Sequence, residues 1–171
     1  PCPVLSAYPS AELFEQLEPA GVLLSGGNDL SQLSNTRLNV SRDKVDTKLL
    51  DQAVARNVPV LGVCRGMQFI AHYFDSTLEP VDKHIACDHN LEVNVDSRHA
   101  KLISPIHQVN SFHSVAPVAL GQELRVVAHA PDRSIEAIEH TEKAILGIMW
   151  HPERRDSFLQ AEMDLFQEFF A

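Results

Sequence analysis

At 171 residues, with 44% hydrophobic and 22% charged side chains, the chain has the size and composition of one globular domain stable without a disulfide or metal staple, which excludes disordered and fibrous classes. A net charge of -9 lacks the dense Lys/Arg surface that a nucleic-acid backbone requires, so nucleic acid is not an expected partner. Cys2, Cys64 and Cys87 form an odd set without a CxxC element, which points to a reducing, cytoplasmic setting; no apolar run approaches the ~18 residues of a membrane span, and no signal peptide is legible.

In chain order, Val4-Leu5 reads as the end of a short strand and residues 11–17 as a helix capped by Ser10. Gly21-Val22-Leu23-Leu24 is a buried strand that runs into the turn Ser25-Gly26-Gly27-Asn28-Asp29. Residues 30–44 are polar and aperiodic, as in a surface loop. Apolar residues then recur at helical spacing from Asp43 to Asn57. Pro59–Val63 reads as a second buried strand, and the segment from Cys64 to Phe74 as a helix that follows it abruptly. Repetition of buried strand and amphipathic helix predicts an α/β fold: a mainly parallel central sheet with helices on both faces.

Further along, Leu91–Val95, Leu124–Ala130 and Ser134–Glu139 read as strands, the last two joined by a turn at Pro131-Asp132-Arg133. Residues 144–150 form a final buried strand that ends at His151-Pro152-Glu153. A closing helix covers residues 158–170, its aromatic residues spaced for the core.

The sharpest local feature is Gly62-Val63-Cys64-Arg65-Gly66. A thiol between strand and helix, with glycines two residues before and after, has the form of a nucleophile elbow. The helix start adds N–H groups that favour thiolate over thiol. His151, at another strand end, is the expected base, and Glu153 the acid that orients it. The turn of Gly26 and Gly27 suits an oxyanion hole, with the Gly27 and Arg65 N–H groups as donors. His84-x-x-Cys87-x-His89 matches no strong zinc spacing and shows no fourth ligand, so it reads as a loop at the substrate entrance; neither a metal nor a cofactor is expected.

These motifs together resemble the class I glutamine amidotransferase superfamily. Ser25-Gly26-Gly27-Asn28-Asp29, Arg42-Asp43, Cys64-Arg65-Gly66-Met67-Gln68, Asn110-Ser111-x-His113 and Ile135-Glu136-Ala137 are similar to its γ-glutamyl hydrolase, peptidase C26-like branch. The resemblance implies a three-layer flavodoxin-like domain spanning residues 1–171 without the family's first strand and helix. It also implies Cys64 as nucleophile with His151 and Glu153, and a glutamyl group seated by Gly26, Asn28, Gln68, Ser111 and His113. The activity implied is cysteine-dependent hydrolysis of a small γ-glutamyl amide through a thioester. The segment from Tyr73 to Leu78 is most similar to members encoded with bacterial surface-polysaccharide genes, which process γ-glutamyl-linked nucleotides.

Two alternatives share the fold: a glutaminase subunit that delivers ammonia to a synthetase partner, and an inactive binding module. A homodimer is compatible with each. The chain departs from the family pattern at Asp46, where relatives carry Glu, at Asp75-Ser76, where they carry two glycines, and at Val115, where they carry Gln.

Overall fold

The computed structural model describes Phe14 and residues 16–171; the strand expected at Val4-Leu5 and most of the helix expected over residues 11–17 lie outside them. Among the described residues the central sheet has six strands: β1 (Val22–Leu24), β2 (Val60–Val63), β5 (Glu92–Val93), β8 (Leu124–His129), β9 (Ile135–His140) and β10 (Ile145–Ile148). Their spatial order is β1-β2-β10-β9-β8-β5. Strand β2 pairs in parallel with both β1 and β10, whereas the β10–β9, β9–β8 and β8–β5 pairs are antiparallel. The sheet is therefore mixed, which corrects the expectation of a mainly parallel one. A parallel neighbour needs a crossover of about a dozen residues or more. Residues 130–134 and 141–144 are too few for that, so β8, β9 and β10 fold back on one another.

Helices do flank the sheet. Helix α1 (Arg37–Arg56) and helix α2 (Arg65–Tyr73) pack on one face, where Leu50, Ala53, Met67 and Ile70 meet Leu24, Val60 and Ile145. On the other face, α3 (Ala100–Ile103) and α4 (Gln160–Phe169) bring Ile103, Leu165 and Phe169 against Leu61, Val63, Leu146 and Ile148. Alternation within β2 and β10 thus divides their side chains between two cores, as a strand period of two requires.

Helix α1 begins inside the stretch expected to be a loop. Thr36 caps it by accepting from the Asn39 N–H at 3.2 Å, and the Asn39 side chain donates to the Ser34 carbonyl at 2.7 Å. Its first turns carry polar residues that face ion partners rather than an apolar stripe, so no period shows. Two small antiparallel ribbons also escaped the sequence reading: β3 (Thr77–Pro80) with β7 (Val115–Ala119), and β4 (Ile85–Asn90) with β6 (Gln108–Phe112). Among the described residues no helix is long and apolar enough to cross a membrane.

Candidate active site

Cys64 sits between β2 and α2 with φ 49° and ψ -103°, a conformation rare for a residue with a side chain. The flanking glycines make the turn sterically feasible. A Cβ on Gly66 would lie 2.0 Å from the Leu24 carbonyl oxygen, and one on Gly62 would lie 2.6 Å from the Gly66 carbonyl carbon. Hydrogen is the only substituent that fits either place. The Cys64 N–H donates to the Ile148 carbonyl at 2.7 Å, which ties the turn to β10.

The loop after β1 arrives beside it. A Cβ on Gly26 would stand 2.8 Å from His151 Cε1 and 3.9 Å from Cys64 Cβ, so Gly26, Cys64 and His151 share one sheet edge. Arg42 holds this loop from α1 by donating to the Gly26 and Ser25 carbonyls at 3.2 and 2.9 Å. Gly27, at φ +154°, leaves room for the Arg42 guanidinium, which a Cβ would approach to 2.7 Å. The buried Arg65 side chain turns away from the site and forms ion pairs with Asp43 and Asp46, while Asp46 also faces Arg42 Nε at 3.5 Å. Asp46, singled out in the sequence only as a departure, thus joins the two arginines.

His151 follows β10 and is almost fully buried. Its N–H donates to Asn110 Oδ1, and the Asn110 amide donates back to the His151 carbonyl, both at 2.8 Å. His151 Nδ1 lies 2.6 Å from Glu153 Oε1, on a 3-10 turn over Pro152–Arg154. Asn110 is the residue to which the sequence reading gave no role; the signal was present in the Asn-Ser-x-His run, but only the fold shows which backbone it grips.

The remaining candidates lie in three places. The Gln68 side chain donates to the Val115 carbonyl at 2.8 Å and anchors α2 to β7. Asn28 lines a cleft of about 290 Å³ together with Asp29, Ser34, Thr36 and Asn39. Ser111 and His113 belong to a separate buried group. Ser111 Oγ donates to the His84 carbonyl at 2.8 Å, and His113 Nε2 faces Glu136 Oε1 at 3.3 Å. Cys87 does not join His84 and His89; its thiol donates to the Lys83 carbonyl.

The expected cysteine-dependent thioester route, with a thiol nucleophile in a Cys-His-Glu triad, is not supported. Among the described residues, the group of three clustered His, Cys, Asp or Glu side chains is His84, His113 and Glu136, whose donor atoms lie within 4.8 Å of one another, and no cysteine belongs to it. His151 Nε2 is buried without a hydrogen-bond partner, so no bond joins it to the Cys64 thiol. Burial pushes that thiol up to about 11, and the Arg65 N–H and the Arg154 charge offset this only in part. Desolvation outweighs the helix start that favours a thiolate.

The Peptidase C26 family matches residues 10–153, most of the chain. The chain belongs to the Peptidase C26 family. It is 41% identical over 135 residues to a γ-glutamyl-CDP-amidate hydrolase of Campylobacter jejuni, a match covering 79% of this chain and 62% of that protein. A subunit of the glutamine-hydrolysing GMP synthase of Methanosphaera stadtmanae is 26% identical, over 84% of this chain and 70% of its own. A glutamine amidotransferase of Thermotoga maritima shares the fold at TM-score 0.62 and 15% identity, over 85% of this chain and 60% of its own. This Peptidase C26 chain therefore spans less than two thirds of the Campylobacter relative.

Proposed function

We propose that the chain carries out glutamine-amidotransferase-like hydrolysis of a small γ-glutamyl amide, acting as a glutaminase subunit that passes ammonia to a synthetase partner. The observation that carries this reading is the convergence of the Gly26 loop, the Cys64 turn and His151 at the ends of β1, β2 and β10. Ligands of open α/β sheets gather at that edge. There the Glu153 carboxylate fixes one ring nitrogen of His151, which leaves Nε2 to take a proton from the water that adds to the γ-carbonyl and to pass it to the amine as the C–N bond breaks. The Gly27 and Arg65 N–H groups are the donors we assign to the carbonyl oxygen as it gains charge. Cys64 and Asn28 are assigned to contact with the substrate.

Relatives named as part of a glutamine-hydrolysing GMP synthase favour dependence on a partner. The test is glutamate release from glutamine, γ-glutamyl amines and γ-glutamyl nucleotides, with and without candidate synthetases. Slow release by the isolated chain and acceleration by a partner are expected. Rapid unaided turnover that disappears in Cys64→Ala would overturn this reading and reinstate the thiol route.

A further inference from the structure

We propose that His84, His113 and Glu136 form a zinc site, with His89 beside it and Asp132 as its outer carboxylate. His84 Nδ1, His89 Nε2 and His113 Nε2 stand 3.4, 3.4 and 3.3 Å from one oxygen, Glu136 Oε1. Ligands bound about 2.0–2.1 Å from one tetrahedral zinc are themselves about 3.3 Å apart, so the His84 and His113 nitrogens stand from that oxygen at the distance of a shared coordination sphere. The donors of His84, His113 and Glu136 also lie mutually within 4.8 Å.

A fully buried carboxylate needs a compensating positive charge, which a bound divalent ion supplies. Glu136 is fully buried, and His89 Nε2, His113 Nδ1 and Glu136 Oε2 are buried without a hydrogen-bond partner. The outward nitrogens are already held. His84 Nε2 faces Asp132 Oδ2 at 3.0 Å, the outer contact that orients a ligating histidine, and the neighbouring His89 Nδ1 faces the Asn90 carbonyl at 3.1 Å. Two imidazoles and one carboxylate suit zinc over a hard oxygen-seeking cation.

The spacing of His84, Cys87 and His89 supplied no fourth ligand because the missing ligands come from elsewhere, His113 between β6 and β7 and Glu136 from β9. The ion would clamp three segments beside Asn110, which holds His151. This inference does not rest on the hydrolytic reading.

The test is zinc titration of the chelator-treated full chain in competition with a chromophoric chelator, repeated with cobalt(II) for its tetrahedral absorption. One equivalent of zinc per chain is expected. Asp132→Asn, at an exposed residue that leaves the core intact, should weaken binding by about 10–100-fold. Glu136→Gln should weaken it further and abolish the cobalt spectrum, while His107→Ala should leave both unchanged. The proposal is overturned by the lack of stoichiometric binding, by affinity indifferent to Asp132→Asn and Glu136→Gln alike, or by equal weakening in His107→Ala.

Discussion

Cys64 illustrates a contest between two local effects. A helix start and the Arg65 N–H favour its thiolate, yet burial wins and holds the thiol at about 11. Alkylation of Cys64 by iodoacetamide in the isolated chain should therefore be slow at neutral pH and rise tenfold per pH unit towards that value. An inflection near neutrality would show that the thiol is already activated. Asn110 carries the second prediction at this scale. Its side chain satisfies both backbone groups of the buried His151, so Asn110→Ala leaves a donor and an acceptor unpaired. A loss of about 1–3 kcal/mol in urea denaturation is expected, with a larger fall in glutamate release than stability alone explains. The Gly62-x-Cys64-x-Gly66 turn was legible because its glycines answer a local steric demand. Asn110 was not, because its partner is 41 residues away.

Between elements, α1 and α2 are joined through charge as well as apolar contact. Arg65 at the start of α2 is buried between Asp43 and Asp46 of α1, and Arg42 reaches from the same turns to the Gly26 loop. Removing one partner of a buried pair leaves the other charge uncompensated, which typically costs about 3–5 kcal/mol. Asp46→Asn should lose stability on that scale by denaturant unfolding, whereas a change below about 1 kcal/mol would mean that the pair is solvated in solution. The same network explains why the start of α1 was missed. Its residues were chosen for ion partners in other elements, and a hydrophobic period cannot show where no apolar stripe is needed.

Across the whole molecule, parallel β1, β2 and β10 form the side of the sheet that bears the site, and an antiparallel flank runs on through β9 and β8 to β5. Strands β2 and β10 are buried along their length, whereas β4 in its two-stranded ribbon is largely exposed. Amide hydrogen exchange should therefore be slowest in β2 and β10 and faster in β4, and equal protection would contradict this hierarchy. By itself the sequence determined the buried strands, the amphipathic helices, the glycine-framed turn and the His151-Pro152-Glu153 strand end, because each is written in periodicity or steric demand within a few residues. Only the tertiary structure decided the mixed direction of the sheet, the burial that raises the Cys64 thiol, and the assembly of His84, His89 and His113 around Glu136. Strand direction follows from loop length and pairing, thiol charge from burial, and a ligand cluster from strands distant in sequence; none of these is a property of a local stretch of chain.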